Sequence, residues 1–203
     1  MRLILVRHGQ TENNRRHLVQ GQSDSELNEL GRAQAGAVAG ALKEERVDAI
    51  YTSPLKRAWD TAHAINGFHG VDMVTLDGLK ELDVGEYDGL PLEEMIVKYQ
   101  ALLAGSAHES TTVRFPGGES IADLRERIWT AFQFIISKRY DSVVVVGHNL
   151  SLTGIISQAL GTQRSNAVRL SLESTAVNVI ETDGALFRLA LFNDTCHLGK
   201  ALR

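Results

Sequence analysis

Apolar residues in this chain follow two rhythms. Short unbroken runs, Leu3–Val6 ("LILV") and Ser142–Val146 ("SVVVV"), read as strands buried on both faces. Elsewhere the spacing shifts to three and four residues. Asn28 caps an expected helix through about Glu45, carrying Leu30, Ala33, Ala37, Val38 and Leu42. Ser53 caps another, with Pro54 at its first position, where the missing N–H costs nothing. Further helices are expected from Pro91 to about Leu103, from Ser120 to about Arg139, and after Asn149 to about Leu160. The second of these opens on a Ser-x-x-Asp box with Asp123. Val47–Tyr51 and Val71–Leu76 read as strands. So do Ala176–Glu181 and Leu186–Phe192, which flank Asp183-Gly184, a type I′ hairpin signal. Leu79–Gly89 reads as a surface loop, and Gly105–Gly118 as a polar excursion ending in "PGGES".

This alternation predicts an α/β fold, a three-layer α/β/α sandwich with a mostly parallel central sheet. The chain has no internal repeat, low-complexity tract or linker, so residues 1–203 are expected to form one domain with a lid segment around 90–118. A length of 203 residues suits one well-buried core and is short for two.

Composition changes the picture in three places. A net charge of −4 argues against general nucleic-acid binding, and a local basic pocket in such a protein would favour a small anion. Cys196 is the only cysteine, so no internal disulfide or thiolate zinc cluster is expected, as in a reducing cytosol. No apolar run approaches the length of a signal segment or a bilayer, and a soluble cytoplasmic protein without membrane partners is expected.

The two most apolar strands both end beside a histidine, in "LILVRHG" and "VVVVGHN". Open α/β sheets bind ligands beyond the carboxyl ends of their strands, so neighbouring strands would bring His8 and His148 to one crevice. Arg57 comes after Ser53-Pro54 in a first helical turn, and helical side chains lean toward the N-terminus, which aims it at the same face. Arg7 adds a second guanidinium. Forked donors suit phosphate far better than a metal ion. The histidines form no HxH or HExxH, and Arg7 would repel a cation beside His8. Neither a Walker loop nor a G-x-G-x-x-G is present. What remains is a phosphate pocket with an imidazole nucleophile, which splits one displacement into two and calls for a separate acid. Gly9 reads as room for close approach of backbone to ligand.

With Arg7-His8-Gly9, "TSPLKRAWDTA", "LKELDVGEYDG", "PGGES", "VVGHN" and "NDTCHL" in this order, the chain resembles the histidine phosphatase superfamily, also called phosphoglycerate mutase-like. The resemblance implies that His8 is phosphorylated and that Arg7, Arg57 and His148 complete the phosphate pocket. It implies that Asn14, with Thr11 beside it, binds the phosphoryl group, and that Gln20, Gly21 and Asn149 line the pocket. Glu81 falls on the family's acid, which protonates the leaving group and then activates water; Asp83 and Glu86 are the alternative acids nearby. A carboxylate beside a bound phosphate dianion is held protonated near neutral pH, as that role requires. Asn13 stands where many members carry an aromatic residue, which alters packing near the loop.

The expected activity is metal-independent hydrolysis of a small phosphomonoester through phosphohistidine, with no cofactor. Alternatives are a phosphoglycerate mutase-type phosphotransferase and a non-catalytic phosphate-binding module. The "ER-x-Y" found at the acid in mutases is missing at Glu81, and Arg114 stands alone in the Leu90–Gly118 segment. The resemblance therefore favours the small phosphatase branch, with its broad-specificity, α-ribazole and metal-independent phosphoserine phosphatases. Val84, Tyr87 and Arg114 are expected to shape specificity. The partner is a small phosphorylated metabolite, and a homodimer is the assembly expected if the chain self-associates. His17, His63, His69 and His108 carry no assigned role, and Cys196 is read as structural.

Overall fold

The computed structural model describes residues 1–106, 110–162 and 170–202. Its strands are β1 (Arg2–Arg7), β2 (Ala49–Thr52), β3 (Met73–Thr75), β4 (Ser142–Gly147), β5 (Val177–Thr182) and β6 (Phe187–Asp194). They form one sheet in the order β3-β2-β4-β1-β5-β6. The first four in that order run parallel; β5 lies antiparallel to β1, and β6 antiparallel to β5. The helices are α1 (Glu12–Arg15), α2 (Glu29–Leu42), α3 (Lys56–His69), α4 (Leu92–Ala104), α5 (Ile121–Ser137) and α6 (Asn149–Ala159).

The unbroken apolar runs are explained by layers on both sides. Ile4, Val6, Val144 and Val146 face α2 and α3, meeting Val38, Ala58 and Ile65. Leu3, Leu5, Val143 and Val145 face α5 and α6, meeting Ile128, Phe132 and Ile155. Alternate residues thus serve opposite cores, each burial contributing ~1.5–3 kcal/mol. The expected caps form: Asn28 accepts the Gly31 N–H at 2.8 Å, and Ser120 and Asp123 close a reciprocal box. Among the described residues, no helix is long and apolar enough to cross a membrane.

Two local expectations are corrected. α3 begins at Lys56, not beside Ser53: Leu55 is extended, and the Ser53 hydroxyl accepts the Leu55 N–H at 3.3 Å and lies 2.8 Å from a buried histidine. Asp183-Gly184 do not form a type I′ turn. Thr182 pairs with Phe187, leaving a longer loop in which Asp183 accepts the N–H groups of Ala185 and Leu186. Only Gly184 there has positive φ, whereas type I′ needs two such residues. Gly9 has a packing requirement of its own: a Cβ there would lie 2.5 Å from the Gly31 carbonyl oxygen at the start of α2.

Candidate active site

β1 and β4 are sheet neighbours, with Arg7 opposite Gly147, so the residues after each strand emerge side by side. The His8 N–H donates to the Gly147 carbonyl at 3.0 Å, and the His8 and His148 ring centroids are 5.1 Å apart. Both rings are buried. His8 Nδ1 lies 2.7 Å from the Gly9 carbonyl oxygen. A carbonyl only accepts, so Nδ1 carries the proton and Nε2 keeps its lone pair. Burial, then the Arg57 and Arg7 charges, holds the His8 pKa well below the usual imidazole value, so the ring is neutral at pH 7.

Arg57 is wholly buried in the first turn of α3 and donates to the Ser23 and Gly21 carbonyls at 2.9 and 2.8 Å. Burial lowers its pKa to about 10, which leaves it charged at neutral pH. Arg7 donates to the Leu172 carbonyl. His148 Nε2 sits 2.8 Å from the Ser53 hydroxyl, and burial, then the Arg57 charge, depress its pKa as well. Three buried nitrogens here lack a partner: Nε of Arg7, Nε of Arg57 and Nδ1 of His148. All three belong to side chains grouped around His8. Unpartnered buried nitrogens are rare and costly, and two of these three are guanidinium donors of the kind that pair with anions.

Glu81 is buried with both carboxylate oxygens engaged. They accept the N–H of Leu82 at 2.9 Å and that of Leu150 at 3.0 Å, the latter in the first turn of α6, where a helix favours negative charge. Asn14 Oδ1 accepts from the Thr11 backbone N–H at 3.1 Å, which leaves its amide as the free donor. The Thr11 hydroxyl stands 3.0 Å from that oxygen and 2.9 Å from Gln20 Oε1, and donates to one at a time. Asn149 accepts the Leu172 N–H at 2.8 Å.

A cavity of about 550 Å³ opens over these groups, lined by Arg7, His8, Asn14, Gln20, Glu81 and Asn149. Arg57, His148, Thr11 and Gly21 stand behind that lining. Gly21 acts through its backbone: its carbonyl holds Arg57, and a Cβ there would lie 2.8 Å from a Val84 methyl. Of the three nearby acids, Glu81 lines the cavity, whereas Asp83 is tied to the Gly85 N–H and Glu86 lies outside. Val84 lines it too. Arg114 does not: it is paired with Asp123 at 2.8 Å. His108 lies outside the described residues. Depressions of about 630 and 670 Å³ beside Phe187 and Phe134 are lined by no histidine among the described residues.

Sequence reasoning missed several partners. Ser53 read as a helix cap, and nothing in its spacing pointed to His148. The Leu150 N–H is a backbone donor and leaves no trace in residue identity. Leu92, Met95, Ile96 and Tyr99 of α4 line the cavity; their helical spacing was readable, but not which way the face turned.

Paired imidazoles, two guanidiniums and a carboxylate at the carboxyl ends of parallel strands define an α/β enzyme built to handle a phosphoryl group. The family is clear as well: residues 3–195 match the histidine phosphatase superfamily (branch 1), and the chain belongs to it. It is 33% identical over 202 residues to phosphoserine phosphatase 1 of Hydrogenobacter thermophilus, covering 98% of this chain and 95% of that one. It is 36% identical over 200 residues to a metal-independent phosphoserine phosphatase of Arabidopsis thaliana, covering 97% and 82%. The solved structure of an Entamoeba histolytica phosphoserine phosphatase with 3-phosphoglyceric acid superposes with a TM-score of 0.84 at 29% identity, covering 97% and 98%.

Proposed function

We propose that this chain is a phosphomonoester hydrolase that works through a phosphohistidine on His8. The observation that carries the reading is the tautomer: Nδ1–H is committed to the Gly9 carbonyl, so Nε2 is left as a neutral nucleophile among cations. In the first half-reaction His8 Nε2 bonds to phosphorus while the ester P–O bond breaks. Glu81, as the general acid, gives a proton to the departing alcohol oxygen. In the second, Glu81 takes a proton from water, whose oxygen displaces His8 and releases inorganic phosphate. Arg7, Arg57, His148 and the Asn14 amide neutralise and orient the phosphoryl oxygens, which is most of what phosphoryl transfer needs.

Hydrolysis is favoured over mutase transfer because, among the described residues, Arg7 is the only arginine lining the cavity, and it lies at the phosphate end. A phosphoglycerate mutase must also grip a carboxylate. Of the segment 90–118, we assign the described residues 90–106 and 110–118 as the lid of one domain, since α4 and Phe115 line the same cavity as His8. Two buried guanidiniums already supply the positive charge, and a further cation would be repelled. Turnover of an aryl phosphate should therefore persist in excess EDTA, within about twofold of the untreated rate; loss of phosphate release that added metal restores would refute the metal-free scheme.

A further inference from the structure

Beyond its polar floor the cavity turns apolar. α4 presents Leu92, Met95, Ile96 and Tyr99 on one face, and none of its residues is buried in the core; Leu92 and Ile96 stay 46% and 43% exposed. An aromatic stack continues this face. Phe115 lies face to face with Tyr99, centroids 4.4 Å apart and planes 4° apart, and Tyr87 meets it edge-on at 5.6 Å. Among the described residues, ionised lining groups are confined to Arg7 and Glu81 at the phosphate end. Beyond them, among the described residues, Gln100 is the one polar side chain that α4 adds to the lining, and it carries no charge to answer the ammonium and carboxylate of an amino-acid ester, although relatives are named for phosphoserine. An apolar chamber joined to a few convergent polar groups is what a ligand with an apolar body and a charged head fills.

The geometry points to phosphomonoesters of alcohols that carry an aromatic or branched aliphatic group, which rests on the phosphatase reading. The test compares ethyl phosphate, 2-phenylethyl phosphate and phosphoserine, all esters of primary alcohols, so that leaving-group differences are small. Burying a phenyl group against this wall should raise kcat/KM for the phenylethyl ester over the ethyl ester by roughly 10- to 100-fold, mostly through KM. Phosphoserine should fall at or below the ethyl ester. Ile96→Asn should remove most of the phenylethyl advantage. Turnover of ethyl phosphate with no such gain, or with phosphoserine preferred, overturns the substrate class and leaves the phosphatase reading intact. No turnover of any ester, with no phosphorylated His8, overturns both.

A second inference stands on a different cluster. Arg127 of α5 uses all five guanidinium donors. Nε and Nη2 reach the two Glu119 oxygens at 2.7 and 2.8 Å, Nη1 reaches the Gly78 and Lys80 carbonyls at 3.0 and 2.8 Å, and Nη2 also reaches the Glu81 carbonyl at 2.7 Å. Glu119, from "PGGES", also accepts the Asp83 N–H at 3.0 Å. The segment that carries Glu81 is thus bound on both sides of that residue.

We infer that Arg127 with Glu119 is a positioning pair that sets the Glu81 carboxyl for proton transfer. The readout is the rapid-quench rate of phosphoenzyme formation. Arg127→Lys cannot span five acceptors and should slow formation from ethyl phosphate roughly 10- to 100-fold. Formation from p-nitrophenyl phosphate, whose leaving group needs no proton, should stay within about threefold. Glu119→Gln should show the same split. Equal slowing on both esters in a variant that melts cooperatively would mark a structural role only and overturn the assignment, while Glu81 itself is judged by its own substitution.

Discussion

His8→Ala should lose essentially all turnover, about 10⁴-fold or more, together with the acid-labile, base-stable phosphoenzyme. The remaining cations can still gather phosphate, so binding should outlast chemistry. The fold should survive as well. The ring's hydrogen bond runs to the adjacent Gly9 carbonyl, and the backbone N–H that ties His8 to Gly147 is unaffected. Radiolabelled phosphate retained on the alanine variant would place the nucleophile elsewhere and sink the mechanism.

Glu81→Gln should produce the second largest effect, and a more diagnostic one. Turnover of ethyl phosphate should fall by roughly 10²- to 10⁴-fold, the usual contribution of a positioned acid–base group. p-Nitrophenyl phosphate should instead release a burst of nitrophenolate equal to the enzyme present and then slow sharply. Its leaving group needs no proton, but the second half-reaction still lacks a base to activate water. Trapped phosphohistidine should accumulate. A stability cost comes with it: both Glu81 oxygens accept backbone N–H groups, and a glutamine amide would turn an NH₂ toward one of them. At ~1–3 kcal/mol for a mismatched buried donor, the melting temperature should drop by a few degrees. If ethyl and p-nitrophenyl phosphates lose activity in parallel without a burst, Glu81 is not the proton donor.

Much of this site was readable from the chain alone because it sits where backbone logic is strongest. Doubly buried strands leave an unbroken apolar signature, and the residues just after them emerge at the carboxyl edge of the sheet; His8 and His148 were legible for that reason. Arg57 was legible from helix direction, and Asn28 and Ser120 from capping chemistry, where one side chain serves one N–H within three residues. Reading failed where the same residue types have two partners to choose from. Ser53 looked like the cap of α3 but lies outside its first turn, where it meets the Leu55 N–H and His148. Arg114 looked like a substrate cation and is tied to Asp123.

The sequence by itself determined the element order, the two cores behind β1 and β4, and the residue types that reach the carboxyl edge, since these come from local periodicity and short-range hydrogen bonding. Tertiary structure decided the rest. Direct pairing of β1 with β4 brought the imidazoles to 5.1 Å, α6 offered an N–H to Glu81, Arg127 reached back to the loop around it, and α4 turned its apolar face inward. Each of these joins residues tens of positions apart, and no local preference encodes which distant neighbour a side chain will meet.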